Sequence, residues 1–261
     1  MKGRNGAICS LTFTLQERKC EMTRLIDLTC PFDPKYSVPQ YPTIYQDIDI
    51  SYKYTVHRDG RYCTQFTLTT HTGTHVDAPM HIYEDGKPLS NYPLERFYGE
   101  AVVLDIPKGE LEEITAADLE KAKPEVQPDD IVLIHTGWGR FYEGEERKHE
   151  LYLARRQPGL VVDAAQWLVD KKVKAVGIDA FTIRHPYPEQ SDYPLTEEDI
   201  LAGKSRPIEP VHDILLGNDV LIVEQLTNLH LIAGKRVTVC FLPLPFVGLD
   251  GSPVRAMAWV D

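Results

Sequence analysis

Four side chains of metal-binding type are concentrated in the stretch HTGTHVDAPMH, which runs from His71 to His81. Because alternate side chains of an extended chain share one face, His71, His75 and Asp77 can point in the same direction. Gly73 lets the backbone curve between them. Two imidazoles and one carboxylate suit Zn, Mn or Fe and leave coordination positions open for water or substrate. A polar surface loop is the alternative, but it would not require ligand-type side chains of matching parity.

A second potential pair of ligands lies far downstream, on His212 and Glu224. Glu224 falls inside the apolar run VLIVEQL, where an ionised carboxylate is costly to bury unless it is paired or bound to a cation. His212 belongs to a predicted helix just before this strand, and the Gly217–Asn218 turn allows the two elements to pack together. These residues would add a histidine and a carboxylate to the early cluster. An arginine or a backbone amide is, however, the more common partner of a buried glutamate.

Strand-like and helix-like segments alternate along the part of the chain that must position these residues. Nearly continuous apolar runs, typical of strands covered on both faces, occur at 101–106, 130–138, 173–181, 219–226 and 236–242. Helical patterns follow a threonine cap in TAADLEKAK and recur in PGLVVDAAQWLVDKK and EPVHDILLGN. The front third instead predicts a β-hairpin around Asp59–Gly60. Together they predict a single α/β domain with a mixed β-sheet or barrel and surrounding helices.

Composition and charge exclude several classes of function. The 261-residue chain has a formal net charge of −11, which argues against nucleic acid or an anionic membrane as a partner. No apolar run approaches the roughly 18 residues of a membrane span. Five scattered cysteines without a CxxC pair favour reduced thiols in a cytoplasmic protein. We therefore expect a small-molecule substrate.

The first 21 residues are interpreted as an N-terminal extension, and residues 22–261 as the functional domain. The extension begins with basic residues and contains a short semi-apolar run, so a weak export signal is the alternative. That run is polar for a signal peptide, and QERK follows it in place of a small-residue cleavage site. Met22 is interpreted as the true start.

The early stretch resembles the HxGTHxDxPxH signature of the metal-dependent cyclase-like hydrolases, a family that includes bacterial kynurenine formamidases and isatin hydrolases. Nearly everything from Met22 onward shares the similarity, through the segments RLIDLTCPF, IVLIHTGW, PGLVVDAAQWLVDKKVKAVGID, VHDILLGNDVLIVEQLTNL and LPLPFVGLDGSPVRAMA. The resemblance implies a swivelling β/β/α fold that forms homodimers or homotetramers.

The resemblance also implies a binuclear site with two divalent ions per chain, zinc or manganese. His71, His75 and Asp77 would hold the first ion. Asp77 would bridge to a second ion, which His212 and Glu224 complete. His81 would act as the catalytic proton shuttle and not as a primary ligand.

This ligand set predicts hydrolysis of an amide, formamide, lactam or ester bond by a metal-activated water. Kynurenine formamidase proper is the narrower alternative. The early loop CPFDPKYSVPQYP lacks the tryptophan that those enzymes carry, although Phe32, Tyr36 and Tyr41 could line a pocket. Inserts around FYEGEERKHELYLARRQ and IRHPYPEQSDYPLTEED also favour a different amidohydrolase. A mononuclear Fe(II) oxygenase and a non-catalytic metal-binding scaffold are the alternatives from other classes.

The remaining ionisable and aromatic residues have simpler interpretations. Arg184 or His185 could bind a substrate carboxylate, but surface-loop positions are favoured for both. His135 ends an apolar strand and is predicted to be hydrogen-bonded in the core. Asp105 and Asp179 could orient metal ligands, with capping or turn roles favoured. Exposed positions are predicted for His57, His149 and His230, and packing roles for Trp138, Trp167 and Trp259.

Overall fold

The computed structural model describes residues 24–32, 49–142, 145–146, 148, 150–186 and 209–260. The interpreted N-terminal extension lies outside the described residues, as do Tyr36, Tyr41 and His149. The strands of the described ranges are β1 Arg24–Asp27, β2 Asp49–Tyr54, β3 Cys63–Thr67, β4 His75–Asp77, β5 Tyr98–Asp105, β6 Glu113–Ile114, β7 Ile131–His135, β8 Gly159–Leu160, β9 Ala175–Ile178, β10 Leu221–Glu224, β11 Arg236–Cys240, β12 Gly251–Pro253 and β13 Met257–Val260.

Five short α-helices accompany these strands in the described ranges: α1 Val56–Asp59, α2 Ala116–Lys121, α3 Glu150–Arg156, α4 Val162–Asp170 and α5 Pro210–Gly217. None of these helices has the length and apolar character needed to span a lipid bilayer.

Nine strands form one curled, mixed sheet in the order β1-β13-β11-β5-β7-β9-β10-β4-β12. The four central strands β5, β7, β9 and β10 run parallel, and the strands on either side pair antiparallel. The five predicted apolar runs correspond to these four strands and to β11. The predicted mixed α/β fold is therefore confirmed.

Alternate residues of the central strands face different hydrophobic cores on the two sides of the sheet. In β7, Val132 and Ile134 belong to the core that includes residues of α2, α4 and α5. Ile131 and Leu133 belong to the core that includes residues of β11 and β13. All four side chains are buried, and each contributes about 1.5–3 kcal/mol by leaving water. Burial on both faces explains why the sequence shows continuous apolar runs instead of alternation.

The predicted helices form, with one change of boundary. Thr115 caps α2 as expected: its hydroxyl accepts a hydrogen bond from the Asp118 amide at 3.3 Å, and the Asp118 carboxylate accepts one from the Thr115 amide at 2.9 Å. The pattern that begins at Pro158 yields a helix only from Val162. Its first residues form β8, which pairs in parallel with β6.

The hairpin predicted in the front third is confirmed by the antiparallel pair β2 and β3. The connection contains α1. Gly60 follows this helix and has the left-handed conformation (φ 71°) that glycine adopts without strain. The Asp59–Gly60 dipeptide therefore ends a helical turn instead of forming a two-residue loop.

The elements that carry the predicted ligands are direct neighbours. β4 lies antiparallel between β10 and β12, with Glu224 opposite His75 and Gly251 opposite Asp77. Helix α5, which contains His212, packs against β10 and leads into it through a short turn. This arrangement brings the early and the late parts of the chain to one place in the sheet.

Candidate metal centre

Asp77 is the centre of a cluster of imidazoles and carboxylates. It ends β4, is 1% exposed, and neither of its oxygens receives a hydrogen bond of good geometry from the described residues. Its Oδ1 lies 2.7 Å from Nδ1 of His71 and 3.2 Å from Nε2 of His75. A buried carboxylate in this state is costly unless a cation compensates its charge.

His75 presents a lone pair to two carboxylates. Its Nδ1 donates a hydrogen bond to the carbonyl oxygen of Gly73 at 2.7 Å, so the neutral ring has no proton on Nε2. That Nε2 lies 3.2 Å from Asp77 Oδ1 and 3.5 Å from Glu224 Oε2. An imidazole held by a carbonyl at one nitrogen, with the other nitrogen facing carboxylates, has the orientation of a metal-ligating histidine.

His71 lies in the turn before β4 and not on the strand itself. The predicted alternation along an extended strand therefore holds for His75 and Asp77 but not for His71. Gly73, with φ 63°, bends the chain as expected. Both ring nitrogens of His71 face carboxylates, Nδ1 that of Asp77 and Nε2 that of Asp250, each at 2.7 Å. Burial lowers the pKa of His71, but these two carboxylates outweigh burial and raise the pKa to about 10.

The late pair joins the same cluster. His212 Nε2 lies 3.3 Å from Glu224 Oε1, and both residues are buried. The same Oε1 accepts hydrogen bonds from the Thr182 hydroxyl and the Ile183 amide, each at 2.7 Å, which leaves Oε2 facing His75. The partners of this buried glutamate thus include a histidine and a backbone amide.

His81 lies at the open side of the cluster. It ends a 3₁₀ turn, Pro79–His81, that follows β4, and its side chain is 28% exposed against 11% for His71. Its ring centroid is 3.9 Å from that of His71 and 6.0 Å from that of His212. Among the six predicted site residues, His81 is thus the one best placed to meet a bound substrate.

Two groups of possible ligand atoms share Asp77. One comprises His71, Asp77 and His81, and the other His75, Asp77 and Glu224, with the atoms of each group within 4.8 Å of one another. A carboxylate that belongs to both groups could serve two neighbouring ions. The grouping differs from the family expectation in three respects. His81 lies within ligand distance and not only within shuttle distance, His75 groups with Glu224 and not with His71, and His212 belongs to neither group.

Electrostatics keep both central acids charged. Burial raises the pKa of Asp77, but the charges of His75 and His71 outweigh burial and hold the pKa well below its usual range. Burial also raises the pKa of Glu224, whereas the hydrogen bond from His212 lowers it, and the net direction is downward. The raised pKa of His71 leaves a proton on that ring to offset part of this negative charge, and a bound cation would replace it.

Asp250 is a site residue that the sequence analysis missed. Its Oδ2 accepts a hydrogen bond from His71 Nε2 at 2.7 Å and lies 3.5 Å from Nδ1 of His81, while Oδ1 accepts one from the Thr70 hydroxyl at 3.1 Å. Its Asp–Gly dipeptide reads as an ordinary turn in the sequence. Only the pairing of β12 with β4 brings it to the cluster. Glu209, whose Oε2 lies 3.2 Å from His212 Nδ1, was missed for the same kind of reason.

The surface-loop interpretation is wrong for Arg184 and His185. His185 is buried, and its Nε2 donates to the Leu111 carbonyl at 2.9 Å. Arg184 is largely buried, with its Nε 3.5 Å from Glu209 Oε2. A β-bridge between Leu160 and Arg184 holds this segment inside the protein.

Several of the other interpretations agree with the structure where it describes them. His57 and His230 are exposed, and Trp138 is buried in the core. His135 is hydrogen-bonded to Asp105 at 2.8 Å as predicted, but it is partly exposed and does not lie in the core. Phe32 is partly exposed and packs against the Gly73 backbone, next to the ligand-bearing turn.

Comparisons with known proteins identify relatives of this chain. A kynurenine formamidase from Erythrobacter litoralis is 30% identical over 193 residues, which cover 74% of this chain and 74% of that protein. A kynurenine formamidase from Bacillus mycoides is 27% identical over 193 residues, covering 74% of this chain and 78% of the relative.

Solved structures share the fold. Isatin hydrolase A from Labrenzia aggregata superposes with a TM-score of 0.74 at 24% identity, covering 91% of this chain and 94% of that one. Isatin hydrolase A from Ralstonia solanacearum gives a TM-score of 0.74 at 24% identity and covers 92% of both chains. Residues 26–185, which contain the early cluster but not the late pair, match the family described as putative cyclase. The chain therefore belongs to the putative cyclase family.

Proposed function

We propose that this chain is a metal-dependent hydrolase that cleaves an amide, formamide, lactam or ester bond of a small organic substrate. One observation carries this proposal: the Nε2 lone pair of His75 faces the carboxylates of Asp77 and Glu224 at 3.2 and 3.5 Å. An imidazole lone pair that faces two carboxylates calls for a cation, and imidazole with carboxylate suits Zn or Mn.

The ligand assignment follows the family resemblance, and the structure supports it through Asp77, which both groups of possible ligand atoms share. His71, His75 and Asp77 would hold one ion, and a second ion would share Asp77. His212 and Glu224 complete the second position, supported by their 3.3 Å contact and their burial. Two ions per chain, zinc or manganese, are thus part of the proposal.

The chemistry divides between the ions and the side chains. When bound, such an ion acts as a Lewis acid and lowers the pKa of a coordinated water toward neutrality. Asp77 and Glu224 remain anionic and so keep the site attractive to cations. His81 is assigned the proton transfer to the leaving nitrogen or oxygen, since an imidazole both accepts and donates protons near neutral pH. Asp250 faces its Nδ1, which leaves Nε2 as the atom for this transfer.

An apolar cavity of about 570 Å³ beside the cluster supports a substrate with an aromatic or aliphatic group. Its walls include Phe32, Phe66, Leu244 and Pro253. Phe32 packs against Gly73, and Pro253 pairs with His75 across the sheet, so the cavity adjoins the ligand-bearing segment. The names of the relatives, kynurenine formamidase and isatin hydrolase, support a formamide or lactam attached to an aromatic ring.

Kynurenine formamidase proper is the narrower form of the proposal. The early loop contains no tryptophan, and this absence favours a broader amidohydrolase over that specific activity. A mononuclear Fe(II) oxygenase would leave the contacts of His212 and Glu224 with the cluster without a purpose.

Metal analysis combined with a substrate screen tests the proposal. The purified chain is analysed for bound metal, treated with chelator, and reloaded separately with zinc, manganese and Fe(II). Each form is assayed with N-formylkynurenine, isatin, simple aryl amides and aryl esters. Chelation should abolish hydrolysis, and zinc or manganese should restore it with two ions per chain. One iron per chain with oxygen consumption would support the oxygenase instead.

A matched pair of variants locates the metal. Glu224→Gln keeps the side-chain volume but removes the charge beside His75, and it should reduce both metal content and turnover. Glu120→Gln removes the same charge from α2, where Glu120 contacts Lys171 and Trp167, and it should change neither. Equal metal content in the two variants would contradict the assignment of Glu224.

A further inference from the structure

Beside β10, which ends at Glu224 in the metal centre, the three other parallel strands also end in ionisable side chains. Asp105 ends β5, His135 ends β7, and Asp179 directly follows β9. His135 Nδ1 donates to Asp105 Oδ1 at 2.8 Å, and its Nε2 lies 4.0 Å from Asp179 Oδ2. The carboxyl ends of parallel strands are the usual position of ligand sites in α/β sheets.

A cavity of about 810 Å³ opens at these strand ends. Its volume falls within the range of roughly 300–1,000 Å³ that is typical of small-molecule sites. The wall includes Lys108, His135, Arg140 and Asp179, together with apolar atoms of Pro107 and Leu229. None of the six predicted metal-site residues lines it, so this cavity is separate from the metal centre.

The carboxylate in this wall has little capacity to bind a further donor. Asp179 is buried and already accepts three hydrogen bonds. The Thr136 amide donates to it at 2.8 Å, the Thr136 hydroxyl at 2.6 Å and the Gly137 amide at 3.0 Å. A cationic ligand would therefore find no free carboxylate among the described residues that line the cavity.

Donors, in contrast, remain available on the cavity wall. Lys108 Nζ donates to Asp118 at 3.0 Å, and Arg140 Nε lies 3.4 Å from Glu146 while its Nη1 donates to the Gly137 carbonyl at 3.0 Å. An ammonium has three N–H donors and a guanidinium five, so each side chain has more donors than these contacts use. His135 Nε2 also faces the cavity and lies 4.0 Å from Asp179 Oδ2. A water molecule or a polar ligand atom could bridge these two atoms.

We propose that this cavity is a second binding site, distinct from the metal centre, for a small organic acid. The carboxylate of the ligand would accept hydrogen bonds from Lys108 and Arg140, whose charges strengthen such bonds. Its hydrocarbon part would contact Pro107 and Leu229. The inference does not depend on the metal or on the hydrolytic reaction.

Calorimetric titration of the full chain with benzoate tests the site. The experiment is run on zinc-loaded protein and repeated after chelation, because a carboxylate bound to the metal centre would respond to metal whereas this site would not. Benzyl alcohol serves as a neutral probe of similar shape, and inorganic phosphate as an anion without a hydrocarbon part. We expect saturable millimolar binding of benzoate in both metal states and weaker binding of the other two probes.

Three substitutions identify the location. Lys108→Met and Arg140→Met keep an unbranched side chain without the charge, and each should weaken benzoate binding about tenfold or more. Lys171→Met is the matched control, because Lys171, like Lys108, contacts a carboxylate but does not line the cavity. It should bind benzoate like the unsubstituted chain, and Lys108→Arg, which keeps the charge, should retain most of the affinity.

Several results would overturn the proposal. These are the absence of saturable benzoate binding, benzoate binding that requires metal, and equal benzoate affinity in all variants. Two further such results are benzyl alcohol binding as tightly as benzoate and phosphate binding more tightly than benzoate. Circular dichroism of each variant checks the fold, and Lys108→Arg keeps the test valid if either methionine variant fails to fold.

Discussion

Asp250 accepts a hydrogen bond from Nε2 of His71 at 2.7 Å, and this contact determines that Nδ1 of His71 faces Asp77 in the cluster. Histidine ligands of metals are generally held in this way by a carboxylate or carbonyl at the other nitrogen. Asp250 comes from the last part of the chain, whereas His71 comes from the first third, so the folded sheet creates the relationship.

Asp250→Ala should weaken metal binding about 10–100-fold, because His71 loses the acceptor that orients its ring. Asp250→Asn should have a smaller effect, since the amide oxygen still accepts the hydrogen bond. Competition with a chromogenic chelator measures the affinity. Asp85→Ala, at an exposed loop position, is the control. Unchanged affinity in Asp250→Ala would show that the ring is oriented without this carboxylate.

His81→Ala should keep its metal but lose most turnover, with a decrease of about 10²–10⁴-fold in kcat. The structure makes this test sharper than the sequence does, because His81 lies within ligand distance of His71 and Asp77. Metal content per chain and kcat are therefore measured on the same sample. Loss of an ion together with activity would make His81 a ligand, and full activity would remove it from the mechanism.

The parts of the site that can be predicted from sequence are those that local patterns encode. His75 and Asp77 share a strand face because they are two residues apart, and Gly73 marks the bend that returns His71 to them. Glu224 stands out because a charged residue interrupts a buried apolar run. The central strands are recognisable because burial on both faces leaves continuous apolar segments.

The parts that cannot be predicted depend on long-range pairing. Asp250 and Glu209 lie in short polar segments without a ligand-like spacing, and only their neighbours in the fold bring them to the histidines. The surface-loop prediction for Arg184 and His185 is wrong because the bridge that joins Arg184 to β8 has no sequence signal. The cytoplasmic location, the homodimer or homotetramer and the domain boundary at residue 22 stay predictions.

Gly251→Ala should displace His71 and so weaken metal binding about tenfold. A Cβ at this position would lie 2.7 Å from Cε1 of His71, closer than packed atoms tolerate, and the backbone φ of Gly251 is not left-handed, so the effect is steric alone. Overpacking of this kind costs about 1–3 kcal/mol. Gly109→Ala, whose Cβ would meet its nearest neighbour at 3.4 Å, is the matched control. Metal affinity and thermal unfolding are compared, and equal affinity in both variants would contradict the steric argument.

Asp219→Asn should destabilise the turn that joins α5 to β10 and thus the segment that carries His212 and Glu224. The Tyr92 hydroxyl and Arg96 Nη1 both donate to the Asp219 carboxylate, the latter at 2.7 Å. Burial raises the pKa of Asp219, but these contacts outweigh burial and lower it below its ordinary value of 3.8. The stabilisation from these contacts is therefore complete when the pH is above the ordinary carboxyl pKa. It is lost as the pH falls through the lower pKa that Asp219 has in the folded state.

At pH 7 the asparagine variant should lose about 1 kcal/mol of the free energy of unfolding, a modest figure because the carboxylate is about half exposed and partly screened by solvent. Asparagine tolerates the left-handed backbone found here (φ 60°), so the substitution adds little strain. Urea unfolding is measured for both chains from pH 7 to below the ordinary carboxyl pKa. The difference between them should shrink at the acidic end because the carboxylate of the unsubstituted chain is then protonated. A difference that stays constant across this range would mean that the charge of Asp219 contributes nothing to the turn.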